Sequence, residues 1–247
     1  MQVASPQGRF AAGAATLDGR VLERADAFGK HLLLSFGDAG TLHVHLGLYG
    51  KWTFGTGVAP EPVGQVRLRI ATASAYADLR GPTACEVLDH DEVAALMSRI
   101  GPDPIRRDAD RERAWVRVER SRTSIAALLM DQSVFAGVGN IYRAEVLYRA
   151  GLWPYHAGRD VGRAVFDEMW DDLVVLMRDG VRRGRIDTVR REHLPSIMGR
   201  APRRDRHGGE VYVYRRAGLD CHVCGEEVCG ADLLGRSLYW CPGCQRQ

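Results

Sequence analysis

Apolar and polar residues alternate along the first third of the chain. Leu32-Leu33-Leu34-Ser35-Phe36 is a short apolar run closed by Gly37-Asp38. Leu42, Val44 and Leu46 alternate with His43 and His45, and Val66, Leu68 and Ile70 alternate with Arg67 and Arg69. A period of two marks half-buried strands, and Gly55, Gly57, Pro60, Pro62 and Gly64 punctuate them with turns. Several short strands so spaced predict an antiparallel sandwich or barrel.

The period changes after Asp91. Val93, Leu96, Met97 and Ile100 recur at helical spacing until Gly101-Pro102, and a polar linker over 103–113 follows. Helical patterns then cover 124–133, 141–150 and 160–178. The stretch 184–209 has no clear period and reads as a mobile loop, and alternation resumes at Val211 and Val213. Trp52, Trp115, Trp153 and Trp170 are expected in cores. The organisation predicted is three parts: a β domain over 1–91, a helical domain over 92–210 and a terminal module over 211–247.

Composition narrows the partners. The 247 residues are 45% hydrophobic, enough for real cores, and no apolar run reaches bilayer length. The opening Met1-Gln2-Val3-Ala4-Ser5-Pro6 lacks the basic start and apolar block of a secretory signal, so a cytoplasmic protein with no membrane partner is expected. The net charge of +3 is uninformative, but 178–216 holds 12 Arg against 5 Asp or Glu. Such a segment attracts polyanions through counterion release, although a solvated basic loop has the same composition. Only Lys30 and Lys51 among 34 basic residues are lysines, which makes each a candidate for proton chemistry that guanidinium cannot perform.

Four of the six cysteines form two knuckles, Cys221-His222-Val223-Cys224 and Cys241-Pro242-Gly243-Cys244, sixteen residues apart. Paired Cys-x-x-Cys knuckles bring four thiolates onto one Zn²⁺, which holds a hairpin too small to bury a core. All four positions are filled by protein, so the site is expected to be structural. Cys229 and His222 are competing ligands by position only, and Cys85 reads as an inert buried thiol. Between the knuckles, Arg236 stands in the hairpin turn, either solvated or placed to bind phosphate. Further upstream, Ala136-Gly137-Val138-Gly139-Asn140 is a double-glycine turn leading into a helix, with Asn140 as the expected N-cap. Its exposed amides suit a phosphate, although an ordinary helix hairpin has the same pattern.

These two stretches carry a resemblance. Asp131-Gln132 through Gly139-Asn140-Ile141-Tyr142-Arg143-Ala144-Glu145-Val146-Leu147 resembles the helix–two-turns–helix motif of the formamidopyrimidine-DNA glycosylase/endonuclease VIII family. The segment Gly235-Arg236-Ser237 and Tyr239-Trp240-Cys241-Pro242 resembles its zinc finger. The similarity extends through Phe28-Gly29-Lys30-His31-Leu32-Leu33, His45-Leu46-Gly47-Leu48-Tyr49-Gly50 and Ile100-Gly101-Pro102-Asp103, and so over essentially the whole chain.

The resemblance implies an α+β protein: an N-terminal antiparallel β-sandwich, a helical domain with the helix–two-turns–helix motif, and a β-hairpin zinc finger. It implies base-excision repair, with the damaged base flipped out of duplex DNA, and a chain acting as a monomer with one structural Zn²⁺. Asn140 matches the Asn that binds phosphate beside the lesion. Arg236 matches the finger Arg that grips DNA and is linked to the last elimination. Lys30 matches a lysine near the lesion phosphate that takes part in β-elimination. Arg99 matches an endonuclease VIII-type DNA contact, and Leu48 a side chain that fills the gap left by the flipped base. Leu48-Tyr49-Gly50 and Tyr239-Trp240-Cys241-Pro242 resemble the endonuclease VIII branch, which implies oxidised pyrimidines as substrate.

One departure bears on catalysis. Family enzymes begin, once Met is removed, with Pro-Glu: the proline amine forms a Schiff base with the sugar and the carboxylate moves protons. This chain begins Met1-Gln2-Val3, and residues 3–10 resemble the family's first strand. A start placed too far downstream, a truncation, and a binder that has lost its chemistry are the three explanations. The survival of Lys30, Asn140 and Arg236 favours the first. The chain as written is therefore expected to bind damaged DNA and to cleave it poorly; the alternative is a catalytically inactive damaged-DNA-binding protein.

Overall fold

The structure, a computed structural model, describes residues 1–205 and 209–246. The chain divides into two compact units, Met1–Arg99 and Ile100–Gln247.

The first unit is an antiparallel β-sandwich. In chain order its elements are β1 (Gln2–Ala4), α1 (Ala11–Leu17), β2 (Arg24–Phe28), β3 (His31–Ser35), β4 (Thr41–His45), β5 (Lys51–Thr56), β6 (Val66–Ala71), β7 (Ala75–Arg80), β8 (Ala84–Leu88) and α2 (His90–Arg99). One four-stranded sheet runs β1-β6-β7-β5 and the other β2-β3-β4-β8. Val3, Leu68 and Leu79 from the first sheet meet Leu34, Leu42 and Val44 from the second in one core, joined by Phe10, Ala14 and Leu17. Burial of these alternate positions is the main force holding the sheets face to face.

The alternation read from the sequence is realised at β4 and β6, with one difference. The strand expected over residues 3–10 stops at Ala4. A turn follows, in which the Gly8 amide donates to the Ser5 carbonyl at 2.8 Å, and the Ser5 hydroxyl accepts the Phe10 amide. These bonds satisfy the backbone locally and start α1 instead of a longer strand.

The second unit holds α3 (Arg111–Glu119), α4 (Ile125–Leu128), α5 (Asn140–Arg149), α6 (Arg163–Arg183), α7 (Pro195–Met198) and a terminal hairpin of β9 (Cys229–Leu233) and β10 (Arg236–Trp240). Its core gathers Val118, Ile125, Leu129, Phe135, Val146, Phe166, Met169, Trp170 and Leu173. Of the four tryptophans expected in cores, Trp170 lies within this core, while Trp115 packs against it and Trp52 against the sandwich core. Trp153 is half-buried and makes edge contact with Trp240.

Two segments differ from their sequence patterns. Val211 and Val213 form no strand. The amides of Tyr212, Val213 and Tyr214 all donate to the buried Glu145 carboxylate at 2.7–2.8 Å, which replaces a ladder with one side chain. The expected loop at 184–209 contains a 3₁₀ turn at Arg191–His193 and the short α7; residues 206–208 of that expected loop lie outside the described residues. Among the described residues, no helix is long and apolar enough to cross a membrane.

Candidate nucleic-acid interface and metal centre

The double-glycine turn is built by Gln132. Its carboxamide donates to the carbonyls of Met130 and Val138, at 3.1 and 2.9 Å, and accepts the Gly137 amide at 3.1 Å. Gly137 has φ of 81°, a left-handed conformation that a side chain would strain. The turn delivers the chain to the start of α5, where the N-cap is Gly139 and no side chain caps the helix. This corrects the expectation for Asn140, which is the first helical residue. Its carboxamide is engaged elsewhere: Nδ2 donates to the Ser237 carbonyl at 2.9 Å, and Oδ1 accepts from Arg143.

Ser237 follows Arg236, so Asn140 is tied to the backbone beside the finger arginine. Arg143 reinforces the tie by donating to the same Ser237 carbonyl at 2.8 Å. Arg143 is only 1% exposed; burial, then repulsion from Arg236, lowers its pKa to about 10. Arg143 and Arg236 both line a cavity of about 430 Å³, together with Thr123, Met130, Asp131 and Leu234. Two guanidinium groups at one cavity attract an anion. The exposed Arg236 stands at the first position of β10, set there by a two-residue turn, Leu234-Gly235, with φ of 54° and 71°. Positive φ at both residues matches the twist of a tight hairpin.

The metal centre lies on the same hairpin. Sγ atoms of Cys221, Cys224, Cys241 and Cys244 all fall within 4.8 Å of one another, with Cys221–Cys244 at 3.8 Å and Cys224–Cys241 at 3.3 Å. A tetrahedral zinc–thiolate site has sulfur–sulfur edges of roughly 3.8 Å, so the four thiols stand near the spacing that one metal ion requires. Cys229 stands outside the group. Tyr148 of α5 extends its hydroxyl to Cys221 Sγ at 3.2 Å and to Cys244 Sγ at 3.5 Å. Burial acts to raise the Cys221 thiol, but hydrogen bonds from the Cys224 amide and the Tyr148 hydroxyl prevail and bring it to about 7. The remaining thiol, Cys85, sits in the sandwich, where burial pushes it to about 12 and leaves it a poor nucleophile.

In the first unit Lys30 and Arg99 come close to one histidine. His31, the first residue of β3, has its pKa lowered to about 4 by burial first, then by His45, His43, Arg99 and Lys30. Both cations are exposed. Alternation puts His43 on the polar face of β4, yet it is only 4% exposed. Cross-strand register explains why. His43 on β4 pairs directly with Glu86 on β8, and its Nδ1 lies 2.9 Å from Glu86 Oε1, while Nε2 lies 2.8 Å from His31 Nδ1. Periodicity alone reports which face a residue occupies, and here that face is covered by other polar side chains. Leu48 stands at an exposed turn tip, 73% accessible, beside Gly47, whose φ of 67° and contact with Thr83 leave no room for a Cβ.

Comparison with known proteins agrees with these features. Residues 2–85 match the formamidopyrimidine-DNA glycosylase N-terminal domain, and residues 100–191 match the formamidopyrimidine-DNA glycosylase H2TH domain. "Endonuclease 8 1" of Mycobacterium tuberculosis is 52% identical over 252 residues, covering 99% of this chain and 91% of that protein. "Endonuclease 8" of Escherichia coli is 29% identical over 239 residues, covering 93% and 85%. Among solved structures, the Lactococcus lactis Fpg complex with DNA containing an abasic site superimposes with a TM-score of 0.76 at 23% identity, covering 100% of this chain and 92% of that one. The two domain matches together with the similarity over nearly the whole chain show that it belongs to the formamidopyrimidine-DNA glycosylase/endonuclease VIII family of DNA-repair glycosylases.

Proposed function

We propose that the chain removes oxidised bases, pyrimidines in preference, from double-stranded DNA and cleaves the strand at the resulting abasic site. The observation that carries this reading is the bond from Asn140 to the Ser237 carbonyl. It ties a helix start with open amides to the backbone beside a cationic finger turn, a combination suited to adjacent phosphates of one strand. The pyrimidine preference rests on the resemblance of Leu48-Tyr49-Gly50 and Tyr239-Trp240-Cys241-Pro242 to the endonuclease VIII branch.

Each residue then has a task. Asn140 Nδ2 keeps one N–H for a phosphate after bonding Ser237, and Arg236 supplies a guanidinium for the next. Lys30 and Arg99 are the two cations of the sandwich unit that act on His31, and Lys30 stabilises the phosphate as it leaves during β-elimination. Leu48 fills the gap that the flipped base leaves in the stack. The four cysteines hold Zn²⁺, which supplies no redox chemistry and fixes the shape of the finger.

Binding and excision test this directly. Asn140→Ala and Arg236→Ala should each weaken affinity for an abasic-site duplex by roughly ten-fold, as the loss of a charge-assisted contact implies. Unchanged affinity in both variants removes the phosphate assignment. A duplex with an oxidised pyrimidine should lose its base faster than one with an oxidised purine. Tight binding without base release would instead make the chain a damage-binding protein.

A further inference from the structure

Three side chains in the sandwich unit form a linear series that the proposed roles leave unused. The Glu86 carboxylate contacts His43 Nδ1 at 2.9 Å, and His43 Nε2 contacts His31 Nδ1 at 2.8 Å. The register sets this up, because His43 and Glu86 are direct cross-strand partners while His31 pairs with His45 one step along the same face. The His31 and His43 rings lie edge to edge, centroids 5.1 Å apart and planes within 20°, as a nitrogen-to-nitrogen hydrogen bond requires, and His31 tilts against His45 at 4.8 Å.

Proton counting assigns the direction of each bond. A carboxylate only accepts, so His43 Nδ1 carries a hydrogen. A neutral imidazole has one N–H, which leaves His43 Nε2 bare and able only to accept. His31 must then donate from Nδ1, and its own Nε2 is left as a lone pair on the ring edge away from His43. The surroundings keep His31 neutral, since its partial burial and the neighbouring His45, His43, Arg99 and Lys30 all oppose a further positive charge.

We propose that Glu86 and His43 are positioning residues that hold His31 as its Nδ1–H tautomer, so that Nε2 accepts a hydrogen bond from a hydroxyl of the opened abasic sugar. This rests on the proposed placement of Lys30 at the lesion. The ligand class follows from the chemistry of a bare nitrogen. Phosphate oxygens only accept and gain nothing from a neutral Nε2, whereas Lys30 and Arg99 beside it suit them well. A hydroxyl donates and finds in His31 an acceptor that the two cations cannot supply. The cluster thus divides its work between anion and hydroxyl.

Two measurements test the proposal. In ¹⁵N-histidine spectra of the free protein near pH 7, His31 should show a protonated Nδ1 and a bare Nε2, and Glu86→Ala should return it to the Nε2–H form. An Nε2–H His31 in the unmodified protein, or a doubly protonated His43, overturns the tautomer. The second measurement compares a duplex carrying a borohydride-reduced, ring-opened abasic site with one carrying tetrahydrofuran, which lacks the free hydroxyls. The unmodified chain should prefer the first by about five-fold, the worth of one net hydrogen bond. Glu86→Ala should abolish that preference while tetrahydrofuran affinity stays within about two-fold. Equal affinity for both duplexes in the unmodified chain overturns the hydroxyl assignment alone. Failure to bind either overturns the DNA reading, while the tautomer is still read from the free protein.

Discussion

A single proton on His31 has a thermodynamic consequence. The folded protein holds this imidazole near a pKa of about 4, against its ordinary 6.5, with burial as the largest cause. Between those values the unfolded chain binds a proton that the folded chain does not, so stability rises with pH across that window and is flat in this contribution above it. Urea unfolding at stepped pH should show that slope, and His31→Gln should flatten it. An unchanged slope in the variant would assign the dependence to other groups. The same residue marks a limit of pattern reading. Alternation places His43 and His45 on one face of β4, but only the third strand, carrying Glu86, decides that His43 is buried. That information lies 43 residues away along the chain. Asn140 shows a second limit, because a residue suited to cap its own helix can bond a hairpin 97 residues on instead.

At the scale of elements, α5 is the member that organises the second unit. From one end to the other it offers Asn140 and Arg143 to Ser237, Glu145 to the amides of 212–214, and Tyr148 to Cys221. Glu145 also accepts from the Thr188 hydroxyl at 2.5 Å. Its carboxylate therefore satisfies three buried amides and one hydroxyl, and Glu145→Ala would leave the three amides without acceptors, while the Thr188 hydroxyl keeps the Glu210 carbonyl at 3.3 Å. A loss of roughly 3–6 kcal/mol in unfolding free energy is expected, measurable by chemical denaturation; a loss below about 1 kcal/mol would mean the 212–214 segment finds other partners. Helix α6 is legible from its period because it buries one apolar stripe, whereas α5 is buried on all sides from Arg143 to Tyr148; the knuckles are legible from their spacing because metal geometry is local. The 211–214 segment misleads, since Val211 and Val213 alternate like a strand while a side chain, not a neighbouring strand, takes their hydrogen bonds.

For the molecule as a whole, separate cores in the two units predict separate responses to metal loss. Chelation should unfold the finger, whose hairpin owes its stability to the four thiolates, while amide-exchange protection in the sandwich strands persists. Loss of protection in both units together would show that they fold as one. The run of β10 from the turn at Leu234-Gly235 to the knuckle gives the molecule a further property, which is parity. Neighbouring side chains on a ribbon point to opposite sides, so one residue inserted between Arg236 and Cys241 would turn Arg236 across the ribbon while the knuckle holds the far end of β10 in place. The cysteines, anchored in their knuckles, would still gather their ion. A length change of one residue can therefore leave an intact, metal-loaded finger whose cation faces the wrong way, and its effect on DNA would be invisible to any assay that only counts zinc.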